Sequence, residues 1–279
     1  MEHSDPHELV DVDIPGLAFP EGPRWRDGWL WFADQLGGGV HRVSEDGAHE
    51  VVAVLDQPSG LGFLPGGELV AATMSQSRVV LVDGGRAEEL ADLRPLASHL
   101  NDMFVDPDGR LYLDAYGPGF SGGSLLLVER GRMPEVAAEE LAFPNGVAAT
   151  PDGRTLLVAE TFAGRISAFE LSPEGRLSGR RVWADLPGKA PDGLCLDAEG
   201  AAWVACYRTG EFLRVREGGA VADRVAVGDR WAMACALGGA DGRTLFLCSA
   251  VTTQRDYAAG KAVGYLQRCR VEVPGVGRP

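Results

Sequence analysis

Short apolar runs, joined in pairs by glycine-containing turns, recur along the whole chain. In one example Phe104 and Val105 are separated from the apolar run Leu111–Leu113 by a turn that ends at Gly109. An Asp-Gly pair supplies the positive φ that a tight turn needs, and the apolar residues on either side fill the pleated faces of two strands. The pattern therefore predicts a β-hairpin at each copy.

This hairpin occurs six times. Its turn glycines are spaced 39 to 47 residues apart, at Gly28, Gly67, Gly109, Gly153, Gly200 and Gly242. A second pair of apolar runs follows in most copies, as at Arg165–Glu170 and Arg181–Trp183. Four strands cannot bury both faces of their sheet alone, so such repeats stack around an axis. We predict an all-β fold, a six-bladed β-propeller with four-stranded antiparallel blades around a central channel.

No linker or low-complexity segment divides the chain, so we expect a single propeller domain over residues 1–279. Closing the ring usually needs a strand from the opposite terminus. The run at about residues 9–14 is the candidate to complete the last blade, beside Val263–Leu266. Only Glu88–Leu96 and Pro134–Leu141 have a briefly helical pattern, and each is either a short helix or a loop.

The composition and the charge restrict the partners. The 279 residues are 45% hydrophobic, which is sufficient for a large core, and the net charge is -14. That charge argues against nucleic acid and against anionic membrane surfaces. The stretch Met1–Pro20 lacks the basic and apolar segments of a signal peptide, and no run is long enough to span a bilayer. We expect a cytoplasmic, monomeric protein whose partner is a small molecule.

The five cysteines are odd in number and contain no Cys-x-x-Cys pair. They are Cys195, Cys206, Cys235, Cys248 and Cys269. We interpret them as small apolar core residues in a reducing compartment.

Polar residues recur just upstream of the hairpins. In a propeller this position precedes the innermost strand and opens at the mouth of the channel. Four of the six copies carry a carboxylate or a carboxamide there: Glu21, Asn101, Asn145 and Asp192. Such hard oxygen donors suit Ca²⁺, Mg²⁺ or Mn²⁺ and can hold Zn²⁺, whereas the absence of His and Cys argues against a soft metal. Alternatively, the Asn-Gly and Asp-Gly pairs are simply turn residues.

The order of these motifs resembles that of a known family. The segments concerned are Glu21–Trp25, Asn101-Asp102, Pro144–Gly146, Pro191–Leu194 and Gly238–Phe246. Together they resemble the successive motifs of the SMP-30/gluconolactonase/luciferin-regenerating-enzyme family, over about nine-tenths of the chain. Members of that family are typically six-bladed propellers that hydrolyse sugar lactones with a divalent metal.

The resemblance implies roles for individual residues. It implies Glu21, Asn145 and Asp192 as metal ligands, Asn101 as a neighbour of the metal or the substrate, and Asp192 as the group that activates water. It also exposes a departure, because His99 stands where sugar lactonases often carry a substrate-binding Arg. The loop that contains Tyr116 is aromatic where some members place an acidic substrate contact. We therefore expect His99 and Tyr116 to contact a substrate that is not gluconolactone itself.

These residues predict a hydrolase that opens a lactone ring with one divalent ion, most naturally Ca²⁺. Asp192 would act as the base, and His99 is either a second acid–base group or a surface histidine without a role. Two other functions stay open. The mouth could serve another ring-opening or rearrangement reaction, on an epoxide or another ester, or it could bind calcium or a ligand without catalysis.

Overall fold

The computed structural model describes residues 7–277 and consists of six four-stranded antiparallel sheets arranged as blades in a ring, with almost no helix. This arrangement confirms the predicted all-β, six-bladed propeller. The first six and last two residues of the predicted domain lie outside the described residues.

Strand β1 (Val10–Val12) precedes the first complete blade. Blade one contains β2 (Pro20–Arg26), β3 (Trp29–Asp34), β4 (Gly39–Ser44) and β5 (His49–Val54). Blade two contains β6 (Pro58–Phe63), β7 (Leu69–Thr73), β8 (Arg78–Asp83) and β9 (Arg86–Asp92). Blade three contains β10 (His99–Val105), β11 (Leu111–Tyr116), β12 (Gly123–Val128) and β13 (Glu135–Leu141).

Blade four contains β14 (Pro144–Ala149), β15 (Thr155–Glu160), β16 (Arg165–Leu171) and β17 (Leu177–Asp185). Blade five contains β18 (Pro191–Leu196), β19 (Ala202–Cys206), β20 (Glu211–Val215) and β21 (Val221–Ala226). Blade six contains β22 (Trp231–Gly238), β23 (Thr244–Val251) and β24 (Val263–Arg270), with β1 as its fourth strand.

The two ends of the chain meet in blade six. Strand β1 pairs antiparallel with β24, with Val10 opposite Arg268 and Val12 opposite Leu266. The sheet order is β1-β24-β23-β22, so the N-terminal strand covers an edge that would otherwise present unpaired backbone groups. The segment expected at residues 9–14 thus occupies the outer edge of the last blade.

The two briefly helical segments of the sequence are strands. Glu88–Leu96 overlaps β9, and Pro134–Leu141 contains β13. Both are the outermost strands of their blades and are largely exposed or half-buried, so their side chains do not show the alternation that identifies a half-buried strand.

Two short helical segments interrupt the connections between strands. A 3₁₀ turn spans Pro118–Phe120, and helix α1 spans Gln254–Ala258, where the Thr253 hydroxyl caps the first turn. Within residues 7–277, no helix has the length and apolar character needed to cross a bilayer.

The core lies between neighbouring blades. Trp203, Phe32 and Phe212 are at most 1% exposed and pack with buried Leu, Val and Ala side chains, Trp203 and Phe212 in one cluster and Phe32 in another. All five cysteines lie in strands and four of them are buried, while Cys195 is half-buried. Blade packing thus fixes the six innermost strands close to the axis, where the predicted donors are.

Candidate active site

A bulge interrupts every innermost strand at the same height. In blades one to five two residues of the innermost strand face a single residue of its partner, and in blade six one residue, Met233, faces none. The register shifts at Glu21/Arg24, Pro58/Leu61, Leu100/Met103, Pro144/Val147, Pro191/Leu194 and Ala232/Ala234. Bulges re-aim side chains and recur next to active sites. The four predicted donors therefore lie at bulges in strands and are not the turn residues of the alternative interpretation.

The glycines that follow the donors allow the innermost strands to approach one another. A Cβ atom on Gly146 would lie 2.6 Å from the Leu194 backbone nitrogen, and one on Gly193 would lie 2.6 Å from the Ala234 Cβ. Real side chains do not make such contacts, so only glycine fits where neighbouring blades meet. The donor-glycine pairs in the sequence thus reflect crowding around the axis.

The structure brings the predicted donors together. The Asn101 Nδ2 donates to the Asn145 Oδ1 at 3.1 Å, although the two residues belong to different blades. Glu21, Asn145 and Asp192 are 8%, 6% and 9% exposed, and the Asn145 side chain is close enough to Asp192 to oppose the rise of its pKa. Glu21 and Asp192 are close enough for their charges to interact. One buried cluster therefore contains residues from blades one, three, four and five.

Negative charge is concentrated in this cluster. Burial, followed by the negative charge of Asp102, raises the pKa of Glu21 to about 8. Burial and the charges of Glu21 and Asp102 also raise the pKa of Asp192 well above its usual range. Within residues 7–277, the Asp192 Oδ1 is buried without a hydrogen-bond partner. A buried carboxylate oxygen without a donor is costly, so the cluster fits a bound cation.

Two charged residues close to the donors, Arg24 and Asp114, had no role in the sequence analysis. The Arg24 Nη2 lies 2.9 Å from the Asp102 Oδ1, and this ion pair is nearly buried. Asp114 is fully buried, and its Oδ1 accepts a hydrogen bond from the Asn101 amide at 3.0 Å. This carboxyl therefore holds the backbone of the blade-three bulge at Asn101.

A signal for Asp114 was present in the repeats. The residue that faces the bulge is Phe32 in blade one and alanine in blades two, four and five, whereas blade three has Asp114. A buried carboxyl where the other repeats have an apolar residue is unusual enough to indicate a specific role. Only the strand register, which the sequence does not give, makes these positions comparable.

His99 and Tyr116 lie side by side at the mouth, opposite one another in β10 and β11. The His99 ring stacks on Phe120 with centroids 4.3 Å apart, and its Nδ1 is buried with no hydrogen-bond partner among the described residues. Tyr116 is 2% exposed, and its hydroxyl donates to the Pro144 carbonyl. Burial, followed by the charges of Asp114 and Asp192, raises the pKa of Tyr116.

A second aromatic group lies across the mouth, on blades one and six. Tyr257 of helix α1 packs on Phe19 with a centroid distance of 4.8 Å and on Trp231 at 6.1 Å. Burial, with smaller contributions from the charges of Glu21 and Asp192, raises the pKa of Tyr257. The helix therefore lies close to the carboxylate cluster.

Two further observations define the site. Among the described residues, no three His, Cys, Asp or Glu side chains come together in a group that could hold a metal ion. A cavity of about 360 Å³ opens at the opposite end of the channel, where Trp25, Phe104 and Leu194 line it. That cavity does not contain the predicted donors.

Comparison with known proteins gives relatives that cover nearly the whole chain. The chain is 30% identical over 271 residues to 6-deoxy-6-sulfogluconolactonase of Pseudomonas putida, with 93% of each chain covered. It is 27% identical to a pentonolactonase of Haloferax volcanii, with 93% and 92% covered. Its fold matches a calcium-binding protein, regucalcin, of Agrobacterium tumefaciens with a TM-score of 0.85 at 23% identity, covering 99% and 97%.

The family model described as the SMP-30/Gluconolactonase/LRE-like region matches residues 19–251, which span all four donors. The ordered donor motifs, the six blades and this match agree. The chain therefore belongs to the SMP-30/gluconolactonase/LRE-like family.

Proposed function

We propose that this protein is a hydrolase that opens a lactone ring with the help of one divalent metal ion. The observation that carries the proposal is the buried pair Glu21 and Asp192, in which a carboxylate oxygen has no donor within residues 7–277. Two relatives that cover 93% of the chain are named as lactonases of a sulfogluconolactone and a pentonolactone. Their names support the reaction class, and the cluster supplies the chemistry for it.

Glu21, Asn145 and Asp192 would hold the ion, with Asn101 as a neighbour that contacts either the metal or the substrate. Two carboxylates and two amide carbonyls are hard oxygen donors, which favour Ca²⁺, while Mg²⁺, Mn²⁺ and Zn²⁺ can use similar sets. A bound divalent ion would polarise the lactone carbonyl and lower the pKa of a water molecule. The glycines beside Asn145 and Asp192 hold both donors at a fixed separation.

Asp192 is the proposed general base. Its Oδ1 is not engaged in any hydrogen bond within the described chain, so it can accept the proton of an attacking water directly. The burial of Asp192 excludes bulk water from this oxygen. The Asn101 amide group, fixed through the Asp114 contact to its backbone, can orient the lactone.

His99 is proposed to act at the leaving oxygen of the ring. Its Nδ1 lacks a hydrogen-bond partner among residues 7–277, and the stack on Phe120 fixes the plane of the ring. A neutral imidazole can donate from one nitrogen and accept at the other. Because His99 stands where sugar lactonases often carry an arginine that contacts substrate hydroxyls, a polyhydroxylated substrate loses a hydrogen-bond donor, and we do not expect gluconolactone to be the natural substrate.

The experiment is lactone hydrolysis, followed by proton release, after chelation and after adding back Ca²⁺, Mg²⁺, Mn²⁺ or Zn²⁺. Wild type is compared with Asp192→Ala and with Asp27→Asn as a matched control. Asp27 is exposed in the β2–β3 turn at a φ of 52°, a conformation that asparagine also adopts. The panel contains aldonic and aliphatic lactones.

We expect turnover that metal restores, that Asp27→Asn retains and that Asp192→Ala lacks. Turnover of an epoxide with none of any lactone would favour the alternative ring-opening reaction. Metal binding without turnover of any substrate would contradict catalysis and favour a calcium-binding or ligand-binding propeller.

A further inference from the structure

A continuous row of aromatic rings extends outward from the site across blades three and four. We call it the aromatic arc, and its members are His99, Tyr116, Phe120, Phe143 and Phe162. Phe120 packs against His99 at 4.3 Å and against Tyr116 at 5.6 Å between centroids. Phe143 packs against Tyr116 at 4.7 Å and against Phe162 at 4.3 Å. The five rings thus form one connected surface.

The inner end of the arc is attached to the donors. His99 precedes Asn101 by two residues in β10, and the Tyr116 hydroxyl donates to the Pro144 carbonyl, immediately before Asn145. A molecule whose reactive group lies at Asn101 and Asn145 therefore has the arc beside it on this side of the mouth.

The outer end of the arc is exposed and offers no hydrogen bonds. Phe120 is 40% exposed and Phe162 is 65% exposed. Phenylalanine rings carry no donor or acceptor, and the one hydroxyl of the arc, on Tyr116, already donates to the backbone. An exposed cluster of apolar rings beside a polar site is typical of a ligand-binding surface.

The backbone holds two of these rings in an uncommon conformation. Phe120 has a φ of 59° and Phe143 a φ of 61°, in the left-handed region that bulky residues rarely adopt. Gln57, which precedes Pro58 in blade two as Phe143 precedes Pro144 in blade four, has a φ of 47°. Blades two and four therefore share the conformation before this proline, and blade two carries glutamine where blade four carries the aromatic ring.

We propose that the aromatic arc is a subsite for an apolar substituent of the substrate. The substrate class is a lactone with an alkyl or aryl group on its ring, and this inference rests on the lactone hydrolysis proposed above. The carbonyl of the ring lies at the donors, and the apolar substituent extends along Phe120, Phe143 and Phe162. The aromatic arc then makes the enzyme prefer alkyl- or aryl-substituted lactones over polyhydroxylated lactones of equal ring size.

The first test is equilibrium binding, which needs no turnover. A homologous series of alkyl γ-lactams, which resist hydrolysis, is titrated calorimetrically into the calcium-loaded protein. Each methylene that moves from water onto an apolar surface strengthens binding about fourfold. We expect such increments in wild type, and smaller ones in Phe162→Ala and Phe143→Gln. Gln at residue 143 is the residue that blade two carries in the same conformation, so this variant keeps the backbone.

The matched control is Met133→Ala. Met133 is 88% exposed in the turn between β12 and β13, at the other end of blade three, and its loss should leave every increment unchanged. Affinity that does not grow with chain length, or grows equally in the Phe162→Ala protein, would overturn the subsite.

The second test is hydrolysis of the matching alkyl γ-lactones and of glucono-δ-lactone by the same proteins. We expect kcat/KM to rise with alkyl length in wild type and to rise less in Phe162→Ala. Efficient turnover of glucono-δ-lactone without any gain along the alkyl series would refute the subsite and leave lactone hydrolysis standing. Growing lactam affinity with no lactone turnover would instead refute the proposed reaction and leave the subsite standing.

Discussion

Replacing Glu21 with glutamine should stabilise the metal-free protein at high pH while weakening its metal site. Burial and the charge of Asp102 raise the pKa of Glu21 to about 8 from a value of 4.5 in the unfolded chain. The folded state therefore resists ionisation of this carboxyl. Stability that is present at pH 4.5 is lost as the pH rises through 8, because the unfolded chain releases the proton more readily. Glutamine has nearly the same shape and cannot ionise.

The magnitude follows from the two pKa values. Linkage gives a penalty of about 4 kcal/mol at pH 8 and about 1 kcal/mol at pH 5. Removing it should raise the melting temperature of the metal-free protein by roughly 8 °C at pH 8, for a chain of this size. At pH 5 the difference between Glu21→Gln and wild type should be small. The increase with pH is the distinguishing result, since a general change in packing would act equally at both values.

The assay is thermal unfolding of chelated wild type, Glu21→Gln and Glu68→Gln at pH 5 and pH 8. Glu68 is an exposed glutamate in the β6–β7 turn, and its replacement should change neither melting temperature. Added Ca²⁺ should stabilise wild type more than Glu21→Gln at pH 8. A Glu21→Gln protein that melts at or below the wild-type temperature at pH 8 would show that burial does not make ionisation of Glu21 unfavourable in the metal-free protein.

Three further changes test the close contact at Gly146, the support of the blade-three bulge by Asp114, and the ion pairs of Glu160. Gly146→Ala places a Cβ atom 2.6 Å from the Leu194 nitrogen, so we expect about 1 to 3 kcal/mol of destabilisation in denaturant titration and a loss of activity. The control Gly66→Ala meets only the flexible Glu68 carboxylate and should be tolerated, so equal stability of the two variants would contradict crowding at Gly146. Asp114→Ala introduces the alanine of blades two, four and five but leaves the Asn101 amide without its acceptor, so kcat/KM should fall about 10- to 100-fold. Unchanged kinetics would exclude a positioning role. Burial alone would raise the pKa of Glu160, but hydrogen bonds from Arg165, Ala142, Ser167 and Arg180 lower it to about 2, so the stability that ionised Glu160 contributes should be lost as the pH falls from 4.5 to 2. Glu160→Gln should remove this loss from the pH dependence of the unfolding free energy, and an unchanged pH dependence would contradict the lowered pKa.

The blades could be predicted because each hairpin carries its own local pattern. Gly109 and its equivalents identify the turns, and the apolar runs beside them identify the inner strands. The outer strands lacked such a pattern, because β9 and β13 are exposed along much of their length. The position of β1 followed from the geometry of ring closure, which is a property of the fold and not of the local sequence.

The donors could be predicted because they share one repeat position, whereas their partners do not. Arg24 and Asp102 come from blades one and three and meet only in three dimensions. The register that sets Asp114 opposite a bulge depends on hydrogen bonds between strands. The aromatic arc combines rings from three different connections, so the sequence indicated the ring of Tyr116 but not its contact with Phe143.

The most direct test of the account is stoichiometric reactivation by metal. Chelated protein is titrated with Ca²⁺ while hydrolysis of an aliphatic lactone is followed by proton release. We expect turnover to rise linearly and to reach its maximum at one ion per chain in wild type, and we expect no turnover by Asp192→Ala at any ratio. Full turnover in the chelated protein, or equal turnover by Asp192→Ala, would contradict a catalytic metal site formed by Glu21, Asn145 and Asp192.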